Sequence, residues 1–319
     1  MALEMDKLTR PPGDEAFRRE NLKGTQWEPT YAGALSFMRR KYTRDLTGVD
    51  IAVTGVPFDQ AVSHRSGTRM GPEGIRKASA ENAWGPFWPW MFDPFDTLAV
   101  ADYGDCFFDW GKKEDFPATL ENHTAEILKA GAETITLGGD HYISYPVLRA
   151  YHKKHGALAL VHFDAHRDVE IDNGGRIDHG TMFGYAVREG LIDPNKSVQI
   201  GIRTLTQHCR EQAQRFGVEI IPMADFSVKA VPSLSGPVYI SLDLDGIDPS
   251  EAPGVSHPEP GGLRVREVLA VLRSINAPII GADIVELNPS RDIGGVTAIL
   301  AAKLIREIAS RAVAIQLGA

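Results

Sequence analysis

At 319 residues, 43% hydrophobic and 24% charged, the chain is long enough to bury a substantial core as one large globular domain. A formal net charge of −8 and a pI near 5.7 speak against sequence-independent nucleic-acid binding, which rests on a basic surface, and lean toward a small cationic substrate. Two cysteines, Cys106 and Cys209, cannot make a disulfide framework and fit a reducing compartment.

Residues 1–30 read as an N-terminal arm and 31–319 as a single domain. Through Lys23 the arm carries Asp6, Asp14, Glu15 and Glu20 and lacks the apolar core of a leader peptide. No uninterrupted apolar run approaches the ~18 residues of a membrane span, so a cytoplasmic protein without membrane contact is expected. Along the chain, a strand is predicted over 49–57, a helix over 72–82 with Pro72 in its first turn, and a strand over 97–102. A helix over 117–130 leads to a strand over 133–137, a helix over 145–155 and a strand over 157–163. Next come a helix over 181–189, a strand over 197–202, a helix over 207–216 and a strand over 218–221. The last third gives a strand over 238–242, a helix over 265–274, a strand over 278–285 and a terminal helix over 296–313. Alternating β and α units with near-continuous apolar strands predict an α/β fold, a mainly parallel sheet covered by helices on both faces.

Four of these strands run straight into acidic residues. The strand over 157–163 leads to Asp164, His166 and Asp168 at i, i+2 and i+4, which a continuing strand would place on one face. Asp243 and Asp245 follow 238–242, Gly138-Gly139-Asp140-His141 closes 133–137, and Glu286 follows 278–285. Any one of these groups alone could cap a helix or satisfy a loop. Together they end separate apolar strands, and buried carboxylates without partners are too costly to cluster idly. In an open parallel sheet, ligands gather beyond the carboxyl ends of the strands, so the groups are expected to converge there. Carboxylate-rich, histidine-poor clusters suit Mn²⁺ or Mg²⁺ better than structural zinc, and the pattern points to a carboxylate-bridged two-metal hydrolase site. No Gly-x-Gly-x-x-Gly follows the first strand, which leaves no dinucleotide fingerprint.

Gly-Gly-Asp-His at 138–141, Asp-Ala-His-x-Asp at 164–168, Ser-Leu-Asp-Leu-Asp-Gly-Ile-Asp-Pro at 241–249 and Val-Glu-Leu-Asn-Pro at 285–289 resemble the signature set of the ureohydrolases, the arginase and agmatinase superfamily. The resemblance extends over nearly the whole chain from Thr54 onward, and residues 177–183 and 189–195 look most like agmatinase. It implies a three-layer α/β/α, arginase-like fold with two Mn²⁺ per chain. His141, Asp164, Asp168 and Asp243 would hold one ion and Asp164, His166, Asp243 and Asp245 the other, with Asp164 and Asp243 as bridges. It further implies hydrolysis of agmatine to putrescine and urea by a metal-bridging hydroxide. A strong nucleophile is needed because delocalisation stabilises the guanidinium carbon. Glu286 resembles the acid that holds the guanidinium, Asp245 would accept a hydrogen bond from the hydroxide, and His179 resembles the histidine that touches substrate or protonates the leaving amine. Members of the superfamily are usually homo-oligomers, trimers or hexamers.

Some neighbours are expected to play lesser parts. His162 falls on the opposite strand face and reads as satisfying a core hydrogen bond, and His64 reads as an exposed loop histidine. Arg167, where a small residue is frequent in the agmatinases, is expected by alternation to face away from the metals. Glu170, with its loop neighbour Asp172, would attract an ammonium and so favours agmatine. Alternatives are a ureohydrolase for guanidinobutyrate, guanidinopropionate or guanidine, and a catalytically silent partner subunit. The aromatic stretch at 85–90 reads as packing or interface material.

Overall fold

The strands alternate with helices because each strand is apolar on both sides and needs cover on both. In the computed structural model, which describes residues 13–25, 27–171 and 174–318, nine strands form one parallel sheet. They are β1 Lys41–Tyr42, β2 Ile51–Val56, β3 Val100–Asp105, β4 Glu133–Gly138, β5 Ala159–Phe163, β6 Val198–Ile202, β7 Glu219–Pro222, β8 Val238–Asp243 and β9 Ile279–Val285. Their order across the sheet is β1-β3-β2-β4-β9-β8-β5-β6-β7. The helices are α1 Glu15–Arg18, α2 Gly71–Ser79, α3 Pro94–Thr97, α4 Phe116–Lys129, α5 Ser144–His155, α6 Met182–Arg188, α7 Gln207–Phe216, α8 Val265–Ser274 and α9 Val296–Gln316.

The period of two divides the strand side chains between two cores. Val161, Phe163, Ile240 and Leu242 pack with Ile75 of α2, Val268 of α8 and Leu304 of α9. Leu160 and Tyr239 face the other way, onto Leu120 of α4, Leu148 of α5 and Ala186 of α6. The result is the expected three-layer α/β/α architecture with a parallel central sheet, whose eight predicted strands are all present.

The sequence did not signal β1, which is only two residues long, or α1 and α3, which are too short to show a helical period. The 85–90 stretch packs on α9, where Trp90 Nε1 donates to Glu307 Oε2 (2.6 Å) and the Arg306 guanidinium lies 4.7 Å over the Phe87 ring. The described part of the arm is pinned through Arg19, a buried guanidinium that donates to the carbonyls of Arg39 (2.9 Å) and Gly24 (2.8 Å). Among the described residues no helix is long and apolar enough to cross a membrane.

Candidate metal centre

Four neighbouring strands of the sheet supply the site. Leu137 of β4, Ile284 of β9, Leu242 of β8 and Phe163 of β5 stand in one row of the ladder. His141, Glu286, Asp243, Asp245 and the Asp164–Asp168 segment all lie just past that row, at the carboxyl edge. Residues far apart in sequence are thereby brought to one crevice, as the strand-end argument requires.

Strand alternation is not what gathers them. β5 ends at Phe163, and the chain then leaves extended geometry, with Asp168 at φ 53°. Asp164, His166 and Asp168 do converge, but through this turn. Arg167 is buried, and the residue borders the site cavity beside Asp168 and Glu170. Asp243 ends β8, and its Oδ1 accepts from the Asp245 backbone N–H (2.8 Å), which folds Asp245 back beside it. Glu286 also sits at positive φ, 65°, a conformation that non-glycine residues adopt mainly where surroundings enforce it. Gly139, two residues before His141, packs directly on the 56–58 backbone, where a Cβ would press into the Phe58 carbonyl and come within 2.7 Å of the Val56 carbonyl. Backbone cannot yield as a side chain can. Gly139→Ala is therefore expected to destabilise the fold by about 3 kcal/mol, the upper part of the overpacking range, measurable as a lowered urea midpoint at unchanged m-value.

The hydrogen bonds around His141 fix its ring chemistry. Ser241 Oγ donates its one hydrogen to Asp283 Oδ1 (2.7 Å), so toward His141 Nε2 (2.8 Å) it accepts, and that nitrogen carries the proton. His141 Nδ1 is left with its lone pair, buried and without a hydrogen-bond partner among the described residues. It faces Asp164 Oδ2 at 3.0 Å, Asp168 Oδ2 at 3.1 Å and Asp243 Oδ2 at 3.1 Å. Four electron-rich atoms aimed at one point repel each other unless a cation stands among them. Nitrogen and carboxylate oxygen donors in this ratio fit a divalent manganese- or magnesium-type ion.

A second group stands beside the first. Asp164 Oδ1 lies 3.3 Å and Asp245 Oδ2 3.2 Å from His166 Nδ1. Asp164 therefore stands astride both groups, one oxygen in each, whereas Asp243 offers Oδ2 to the first and spends Oδ1 on the Asp245 N–H. The crowding shows in the acidities. Burial and the charges of Asp245 and Asp164 push Asp243 well above the usual carboxylate range, and burial with Asp164 pushes Asp168 up to about 7 and Asp245 up to about 6. Burial would raise Asp164 as well, but the imidazoles packed around it hold it well below.

His162 is closer to the site than expected. Its Nε2 lies 2.9 Å from Asp164 Oδ2, and its Nδ1 accepts from Gln199 Nε2 (2.9 Å), an amide that also donates to the Arg167 carbonyl (2.6 Å). Nε2–H thus donates to Asp164 and orients it, the outer support that metal carboxylates generally have. Burial holds this imidazole down at about 4, and it stays neutral.

Above the carboxylates lies a cavity of about 200 Å³, lined by Glu286, His179, Glu170, Arg167, Ser63 and His257 among others. Glu286 Oε1 accepts from the His141 N–H (2.9 Å), and Oε2 is buried without a hydrogen-bond partner among the described residues. His179 Nδ1 lies 3.6 Å from Glu286 Oε1. Burial would depress this histidine, but Glu286 outweighs burial and lifts it to about 9. Glu170 is exposed at the cavity, whereas Asp172 and Asn173 lie outside the described residues. His64 is exposed, as expected, and its neighbour Ser63 lines the cavity instead. Ser63 and His257 were missed because neither lies near a metal motif in sequence.

A sequence model of the Arginase family matches residues 49–310. The chain belongs to this family. An agmatinase of Chromobacterium violaceum is 46% identical over 304 residues, 92% of each chain. A crystal structure of a hypothetical agmatinase from Burkholderia thailandensis is 43% identical with a TM-score of 0.89, over 96% of this chain and 98% of that one. The proclavaminate amidino hydrolase of Streptomyces clavuligerus is 35% identical with a TM-score of 0.82, over 90% and 100%. The arginase-family chain described here is thus a ureohydrolase, a hydrolase of guanidino amidines, most like the agmatinases among these relatives.

Proposed function

We propose that this ureohydrolase is a manganese-dependent agmatinase, which converts agmatine and water to putrescine and urea. The observation that carries the metal half of this reading is the bare His141 Nδ1 set against three carboxylate oxygens. His141, Asp164, Asp168 and Asp243 would hold one ion, and Asp164, His166, Asp245 and Asp243 the second. The chemistry such a pair supplies is hydroxide from water at neutral pH, because the adjacent charge lowers the pKa of the water. The agmatine half rests on the named relatives and on two carboxylates in the cavity, Glu286 deep and Glu170 exposed, which suit the two cationic ends of agmatine.

The protein's own groups divide the work. Glu286 Oε2 is free to accept a guanidinium N–H while Oε1 is pinned by the His141 amide, which fixes the guanidinium carbon over the carboxylate cluster. His179, on the same side as Glu286, would supply the proton that the departing amine needs, since an amine leaves poorly as an anion. Asp245 faces the same space and would accept a hydrogen bond from the attacking hydroxide. A single domain over 31–319 with an arm over 1–30, a cytoplasmic location and a homotrimer or homohexamer complete the proposal.

Arg167 supports a second reading. Arg167 borders the cavity, and a cation near it would suit a guanidino acid such as guanidinobutyrate or guanidinopropionate. Urea release by manganese-loaded protein from agmatine, arginine, guanidinobutyrate, guanidinopropionate and guanidine decides between them, and no release from any would indicate a catalytically silent subunit. If Glu170 holds the ammonium of agmatine, Glu170→Gln should raise KM about five- to tenfold with kcat nearly unchanged, because that contact persists from ground state to transition state. A wild-type preference for guanidinobutyrate, unaltered by Glu170→Gln, would remove the agmatinase reading and leave the ureohydrolase standing.

A further inference from the structure

Ser63 lies on the loop between β2 and α2, with no role in the chemistry above. The loop is firmly built. Asp140 Oδ2 accepts from the Ala61 N–H (2.8 Å), Asp59 Oδ2 from the Gly67 N–H (2.7 Å), and Arg65 Nη1 donates to the Ser256 carbonyl (3.0 Å). This framework sets two atoms of Ser63 against a single nitrogen. The Ser63 N–H donates to His179 Nε2 at 3.1 Å, and Ser63 Oγ lies 3.1 Å from the same nitrogen and 3.4 Å from His257 Nε2.

A backbone N–H can only donate, so opposite it the neutral imidazole presents its lone pair at Nε2 and keeps its proton at Nδ1, toward Glu286. A hydroxyl can do either. When Nε2 gains a proton it can donate to Ser63 Oγ, and the hydroxyl hydrogen then turns to His257 Nε2. His257 is suited to receive it, since burial holds that ring down at about 4 and leaves it neutral. We propose that Ser63 is a positioning residue for His179, offering Nε2 a donor in the neutral state and an acceptor in the charged state, so that the ring keeps its place through the proton cycle. This rests on His179 serving the ureohydrolase reaction proposed above. The other groups that act on His179 are Glu286 at Nδ1, Asp168 and Asp140 through space, and the His257 ring, whose centroid is 5.1 Å away.

Ser63→Ala keeps the N–H and removes the one acceptor, so it penalises only the charged ring. The His179 pKa should fall by about one unit, the scale of one lost charge-stabilising hydrogen bond. kcat for agmatine should fall about tenfold with KM within a factor of two, because a charged ring that has lost its acceptor no longer holds its place beside the leaving nitrogen. Ser63→Thr should restore both. The pKa is read by nitrogen NMR of ¹⁵N-histidine-labelled full-length protein loaded with Mg²⁺, which is diamagnetic, the His179 signal being identified by its loss in His179→Gln. An unchanged His179 pKa in Ser63→Ala, or an equal loss of kcat in Ser63→Thr, overturns the proposal. So does a fall in thermal midpoint that tracks the lost activity and is not rescued by threonine. The NMR readout needs no substrate. Wild-type protein that ignores agmatine yet shows the Ser63-dependent shift would refute the agmatinase reading and uphold the positioning role.

Discussion

Replacing Asp164 by Asn is expected to empty both metal positions and to cut urea release by on the order of 10³-fold or more, the scale on which losing preorganised charge stabilisation acts. The reason is geometric. Asp164 Oδ2 lies 3.0 Å from His141 Nδ1 and Oδ1 lies 3.3 Å from His166 Nδ1, so one carboxylate completes both groups. His141→Asn removes a donor from the first group alone and should leave about one ion per chain in place. Asp243→Asn tests the second bridge, because only Asp243 Oδ2 faces the His141 group while Oδ1 accepts from the Asp245 amide. If an ion draws Oδ1 into the second group, this variant will resemble Asp164→Asn; if not, it will resemble His141→Asn. Elemental analysis after manganese loading and gel filtration distinguishes the cases, with about two ions per chain expected in the wild type. A single tightly held zinc, or full retention of both ions in all three variants, would falsify the two-metal assignment. Removal of the ions by a chelator should abolish urea release, and manganese should restore it.

Much of this was legible because parallel sheets simplify the inference. Apolar runs such as Val238–Asp243 can only be strands buried on both faces, and acidic residues at the ends of several such runs must meet if the strands are neighbours. The sequence could not say that β4, β9, β8 and β5 are adjacent in that order, which depends on crossovers. The period-two reading also does not reach past Phe163, where β5 stops. The φ of 53° at Asp168 is a tertiary outcome with no local sequence sign. His162 does satisfy buried hydrogen bonds, as expected, but the sequence did not say with which group. This histidine leaves the ligand face, yet its ring reaches Asp164 because that carboxylate lies beyond the end of the ladder. Ser63 and His257 carry no signature at all, since a serine in a glycine-bearing loop becomes informative only when a histidine 116 positions away is placed against it.

Glu286→Gln should lower kcat/KM by roughly 10²- to 10³-fold for every guanidino substrate, whatever its tail, while both metal ions stay bound. Glu286 differs from the ligands in its partners. Its Oε1 accepts from the His141 amide and its Oε2 is buried with no hydrogen-bond partner among the described residues, so its charge is available to a guanidinium. Glutamine has nearly the same shape and the same tolerance of the positive φ, so the fold and the His141 backbone contact should survive. What is lost is a charge-assisted hydrogen bond that aims the carbon, and misaiming by even about 1 Å is enough to cost this much rate. The contrast with Glu170→Gln carries the argument. There the loss should fall on KM and on agmatine alone, because an exposed carboxylate near the tail helps binding without steering the reacting atom. Steady-state kinetics of both variants with agmatine and guanidinobutyrate, beside their manganese content, reads the two effects separately. A Glu286→Gln protein that keeps its metals and its kcat/KM would mean that another group holds the guanidinium, and Arg167, a cation, could not be that group.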